Sequence, residues 1–396
     1  MSLGSQITTS LERIYALDAL RASTMILGVF LHGAVAYMTL PLPGLLWPIS
    51  DPSSGPGFDL VLWYLHGFRI PLFFLVGGFF ASLLCEHRGP DEYVKHRLKR
   101  IGVPLLFAVP LILPASYYLW GLGLMEQDVV SWREVKRMSF HDRALKNDLL
   151  GLGHLWFLQY LLIYSLGYYL VRIGWSALFK TTGRFRLPER WWWPLTLIAV
   201  TFPMLWMRPE IYTHFENRWW PEPWEFAYHA LFFLAGSYMY RVYDQFSRII
   251  FLGPFFTLAS LIIFVLVFFQ LENRLSGDSV AEPDWVFAFF TALYSWFAVW
   301  GVLGLFLRVF DRPSRWVKYL SDAAYWIYLV HLPLLVLIQL MLEYIRNYSG
   351  YPISPLMGFT VSVSATMALS LLGYQLFVRY SVIGNWLHGP KSRDKV

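Results

Sequence analysis

Ten runs of roughly 20 apolar residues constrain this 396-residue chain more than any other feature. They cover about 16 to 38, 59 to 85, 101 to 121, 152 to 171, 191 to 207, 224 to 240, 249 to 269, 285 to 307, 320 to 342 and 356 to 378. A backbone inside hydrocarbon must satisfy its own polar groups, so runs of this length fold as helices. Only 15% of the residues are charged and 57% are hydrophobic, against about a quarter charged in globular domains. The chain therefore reads as an all-α polytopic membrane bundle of about ten transmembrane helices, forming one domain over 1–396 with short tails at 1–15 and 380–396.

The connecting segments set an orientation, because Lys and Arg are retained on the cytoplasmic side. With a cytoplasmic N-terminus, the inner segments carry 21 basic residues and the outer segments 9. Both ends are then cytoplasmic. Five of the outer nine lie in the 121–151 loop, where Glu126, Asp128, Glu134, Asp142 and Asp148 balance them. The net charge of +6 follows from this topology and gives no reason to expect a nucleic-acid partner. Asp18 and Arg21 inside the first run argue against a cleavable signal peptide. With Cys85 the sole cysteine, disulfides and Cys-based metal sites have little to work with. No His and carboxylate set has metal-ligand spacing on one helix, and no phosphate-binding Gly-Lys-Ser/Thr loop occurs.

Titratable residues inside apolar runs are the candidates for function, since each costs several kcal/mol, by order of magnitude, in a bilayer. Asp18 and Arg21 are three apart and share a helix face. Arg21 and His32 are eleven apart, close to three full turns, and so look to the same side about 16 Å apart along the axis. His66 and Arg69 enter the second run from the opposite end and reach roughly the depth of His32. His154 begins the fourth run and His331 lies near the middle of the ninth. Four imidazoles and an arginine thus share a depth; their lateral placement stays open.

Plainer readings stand beside these. Arg21 paired with Asp18 also suits an interface anchor, and Arg97, Lys99 and Arg100 also suit ordinary positive-inside residues. His66 and His331 also suit helix-bridging hydrogen bonds. Trp191, Trp192 and Trp193 read as an inner interfacial belt; Trp219, Trp220 and Trp224 read as an outer one, or as stacking surfaces for sugar rings.

Several blocks resemble the membrane acyltransferase 3 family, and within it the branch that succinylates glucans. They are Tyr15-Ala-Leu-Asp18-Ala-Leu-Arg21 with His32, His66-Gly-Phe-Arg69 running to Gly78, Arg97-Leu-Lys-Arg100-Ile-Gly-Val-Pro104, His154-Leu-Trp156-Phe-Leu158, and Tyr325-Trp-Ile-Tyr328-Leu-Val-His331-Leu-Pro333. The resemblance implies an O-acyltransferase of a Gram-negative inner membrane that moves a succinyl group from cytoplasmic succinyl-CoA to hydroxyls of periplasmic glucan. Acyl-CoA is then a donor substrate, and no tightly bound cofactor is expected. Members that O-acetylate other surface polysaccharides usually carry an extra periplasmic domain, and its absence after residue 396 favours the glucan branch. Whether other periplasmic glucan biosynthesis proteins dock on the outer loops is left open.

On this reading Arg97 and Arg100, with Arg21 oriented by Asp18, hold the CoA phosphates, guanidinium being suited to bidentate phosphate recognition. His32 is the general base, and Arg69 stabilises the oxyanion or holds the distal carboxylate of a succinyl group. His66, His154, Trp156, Tyr325, Tyr328 and His331 line the substrate channel. An acyl-His32 intermediate is a variant of the same chemistry. A proton-coupled transporter and an enzyme acting on a lipid-embedded acceptor are the competing classes.

Overall fold

The computed structural model describes residues 14–51, 53–179, 193–242, 246–277, 282–310, 312–389 and 391, and within them the fold is helical with no strand. Arg13, Lys180, Arg184, Arg186, Arg190, Trp191, Trp192, Arg393 and Lys395, which entered the charge and belt readings, lie outside the described residues, as does most of the 1–15 tail.

Each apolar run falls on a helix. We number them α1 (Tyr15–Ala34), α2 (Pro56–Arg88), α3 (Pro90–Glu126), α4 (Trp156–Phe179), α5 (Trp193–Met207), α6 (Pro223–Arg241), α7 (Phe246–Leu275), α8 (Trp285–Val309), α9 (Arg315–Ser349) and α10 (Pro355–Gly373). Among the described residues, seven of these are long and apolar enough to cross a membrane: α1, α2, α3, α7, α8, α9 and α10. The remaining three depart for visible reasons. α5 has 15 residues, α4 carries Gln159 and several tyrosines, and α6 carries Glu225 and His229.

Helix starts follow local chemistry. Pro56 and Pro223 occupy first-turn positions whose N–H would have no intrahelical partner. Asp284 caps α8 by accepting from the amides of Val286 (2.8 Å) and Phe287 (3.2 Å). Asp59, fully buried near the start of α2, accepts from Thr39 N (3.0 Å) and Leu40 N (2.8 Å), which clamps the 38–55 loop onto that helix. Arg346 of α9 fixes the same loop through Asp51 at 2.7 Å.

The bundle is organised around α1, α2 and α9. α1 packs against α9 and α2, and α2 against α6; α7 and α8 form a pair at one side. Small residues permit the closest approach: a side chain at Gly236 of α6 would collide with the Leu75 carbonyl of α2, and one at Gly78 with the Phe233 carbonyl. Membrane helices associate through such small-residue contacts, because burial from lipid supplies little drive. This crossing brings the polar start of α6 against the middle of the bundle.

Two ends can be told apart. The start of α1, the 97–102 segment and the short Val382–Leu387 helix share one end, where Arg100 Nη1 donates to the Trp386 carbonyl at 3.2 Å. The loops 38–55, 127–152 and 208–222 share the other. There Asn217 ties two of them together, its carbonyl accepting from Leu152 N (2.9 Å) and its Oδ1 from Gly153 N (2.6 Å).

Candidate active site

A cavity of about 130 Å³ opens among these loops and descends between α1, α2, α4, α6 and α9. His32, His66, Arg69, His154, Trp156, Tyr328 and His331 all line it. Depth alone was legible in the sequence; the folded bundle supplies the lateral convergence. Ring centroids are 5.4 Å apart for His32 and His331 and 5.2 Å for His331 and His154.

Three of these imidazoles are held by main-chain carbonyls. A carbonyl can only accept, so the nitrogen facing it carries the proton. His66 Nε2 donates to Tyr212 O at 3.0 Å, His154 Nε2 to Leu329 O at 3.1 Å, and His331 Nδ1 to Tyr328 O at 2.7 Å. The helix-bridging reading of His66 therefore holds together with the cavity reading. The Leu329 carbonyl has a specific origin: Pro333, four residues on, has no N–H to give it. Tyr328 completes the clamp by donating its hydroxyl to the His154 carbonyl at 2.5 Å.

His32 differs. Among the described residues its Nδ1 is buried without a hydrogen-bond partner, and its ring contacts are with Trp47 and His331. Trp47, from the 38–55 loop, lies parallel to it with centroids 6.1 Å apart. That indole is fixed in turn, because its Nε1 donates to Gln339 Oε1 at 3.1 Å and Gln339 Nε2 donates to Gly33 O at 3.3 Å. The ring nitrogens of His32 are therefore the ones left free for chemistry on the α1 wall.

Arg69 is half-buried within electrostatic reach of His32 and Tyr328, with no carboxylate in ion-pair contact among the described residues. Gly28, one turn before His32, makes the space: a Cβ there would come within 2.7 Å of the Arg69 Nη1. An unpaired guanidinium in such a place is suited to an anion or to a developing oxyanion.

The other expected site residues gather elsewhere. Arg21, Arg97 and Arg100 interact electrostatically at the terminal end, with His96 among them. Asp18 lies 3.8 Å from Arg21, and Arg97 lies over the Tyr93 ring at 5.4 Å with its Nε and Nη2 unpartnered. Tyr325 was expected to line the channel with Tyr328, but it does not reach the cavity. It sits one turn away on α9, its buried hydroxyl unpartnered and within reach of the charges of Arg100 and Arg21. The polar groups thus form a ladder: arginines at the terminal end, then Tyr325, Tyr328 with Arg69, and the imidazoles.

Sequence reading missed Trp47, Gln339, Glu216, Glu225 and His229. His229 had a usable signal, since it is a titratable residue within the sixth apolar run. Trp47, Gln339 and Glu216 had none, because their roles arise from contacts more than 50 residues apart.

The family profile described as "Acyltransferase domain" (acyltransferase 3) matches residues 14–375. The proteins named Glucans biosynthesis protein C of Salmonella paratyphi B, Salmonella agona and Salmonella enteritidis are each 25% identical to it over 387 residues, covering 94% of this chain and 93% of theirs. No solved structure matches. With the profile matched over residues 14–375, this chain of membrane-length apolar helices belongs to the acyltransferase 3 family.

Proposed function

We propose that the chain transfers a succinyl group from succinyl-CoA at the terminal, cytoplasmic end to a glucan hydroxyl at the loop, periplasmic end of an inner-membrane bundle of ten spans. The observation that carries this reading is the ladder of polar groups between the two ends, finishing at an imidazole with no hydrogen-bond partner among the described residues. Arg21, Arg97 and Arg100 suit the phosphates of CoA through charge-assisted hydrogen bonds. About 16 Å of helix separates Arg21 from His32, a span comparable to an extended pantetheine arm on the scale of backbone-like bonds.

In the transfer step, His32 accepts the proton of the glucan hydroxyl while that oxygen attacks the thioester carbonyl. Negative charge develops on the carbonyl oxygen beside Arg69. The C–S bond then breaks, and the departing thiolate takes the proton from the His32 imidazolium, so ester and free CoA leave with the atoms balanced. Imidazole titrates near neutral pH, which suits it to both proton transfers. Arg69 equally suits the distal carboxylate of a succinyl donor, which would favour a dicarboxylic acyl group over acetyl.

Mass spectrometry of periplasmic glucans from cells with the protein intact, deleted or carrying His32→Ala tests this reading. Succinyl mass additions in the intact strain alone are expected. Unchanged glucans in all three would remove glucan as the acceptor and direct attention to O-acetylation of another surface polysaccharide.

A further inference from the structure

The α6 wall of the cavity, opposite His32, carries a second group of polar side chains that the transfer step does not use. Glu225, 9% exposed near the start of α6, and Glu216 of the 208–222 loop both line the cavity within electrostatic reach of each other. Together the two carboxyl groups set several hydrogen-bonding oxygens on this wall. The pair is held from behind: Tyr160 donates to Glu216 Oε2 at 3.0 Å, and the amide of Arg218 donates to Oε1 at 2.7 Å. Glu222 and the Arg218 side chain are the other charges felt by the pair.

A separate observation points to a ligand there. His229, one turn along α6 from Glu225, is 9% exposed and lines the cavity, yet its Nδ1 has no partner and it makes no hydrogen bond with any described residue. Trp156, half-buried and also lining the cavity, lies beside it with ring centroids 5.5 Å apart. An imidazole without a hydrogen-bond partner among the described residues, two carboxyl groups and an indole are the groups a pyranose needs: polar partners for adjacent hydroxyls, and an apolar surface for the C–H face of the ring.

We propose that Glu216, Glu225, His229 and Trp156 form the acceptor subsite and select a neutral hexose over a uronic acid. The selection follows from charge. Asp148 also lines this end of the cavity, so a sugar carboxylate would meet acidic groups, whereas the hydroxyls of a neutral sugar satisfy them. This proposal rests on the acyl-transfer reading above and adds where the acceptor binds and what class it is.

The test uses purified full-length protein, measuring CoA release and ester formation with succinyl-CoA and either a neutral gluco-oligosaccharide or a matched oligosaccharide containing glucuronic acid. Glu225→Gln and His229→Gln should each raise the KM for the neutral acceptor about tenfold, the scale of one or two lost buried hydrogen bonds. The KM for succinyl-CoA should stay within about twofold, which also shows that the variants fold. Glu225→Gln should narrow the preference for the neutral acceptor. An unchanged acceptor KM in both variants, or equal use of the two acceptors by the parent protein, overturns the subsite. Absence of any His32-dependent ester formation in the parent protein would instead overturn the acyl-transfer reading itself.

Discussion

The arginine cluster at the terminal end and the cavity lining at the loop end differ in charge, and each arrangement suits a different ligand. At the terminal end, Arg21, Arg97 and Arg100 gather, with Asp18 3.8 Å from Arg21. At the loop end, Asp148, Glu216 and Glu225 line the cavity mouth, and Arg69 is the one Lys or Arg in the lining. The first suits a polyanion such as a CoA phosphate group; the second suits a neutral, hydroxyl-rich molecule.

The largest way to sharpen the contrast is at Arg69, which stands where the two ends meet. If it stabilises the oxyanion, Arg69→Ala should lower kcat by about 10²- to 10³-fold, measured as ester formation at saturating substrates. A loss confined to the KM for succinyl-CoA, with acetyl-CoA unaffected, would assign it instead to the donor carboxylate. Next in size, Arg100→Ala should raise the KM for acyl-CoA about 10- to 100-fold, the value of a hydrogen bond to a charged group. Its acceptor KM should stay put, and movement of both would break the division into two ends. The smallest effect is expected at Pro333→Ala. Alanine returns an N–H to the Leu329 carbonyl and competes with His154, so kcat should fall by less than about tenfold while thermal stability is kept or raised. An unchanged kcat would show that the carbonyl clamp on His154 is not needed.

Helix positions were legible because an apolar run in a bilayer has one way to satisfy its backbone. The polar face of α1 was legible too, since the eleven-residue spacing of Arg21 and His32 is fixed by helix geometry. Tyr325 shares the face of Tyr328, as a three-residue spacing on a helix requires, but it lies one turn deeper, nearer the arginines than the cavity, a depth that spacing alone does not give. The indole stacked on His32 could not be foreseen, for Trp47 comes from an irregular loop and is aimed by Gln339, 292 residues away in the chain. His229 could have been found by the rule that found His32. The Pro333 effect was also available in principle, because a proline always frees the carbonyl four residues before it; its partner His154 was not.

The most direct test of a transfer that runs from one end to the other is made with proteoliposomes holding neutral glucan inside and the protein's terminal end facing out. Succinyl-CoA supplied outside should release CoA outside and place succinyl esters on the enclosed glucan, and His32→Ala should abolish both. Esters that form only when donor and acceptor are on the same side would contradict the account.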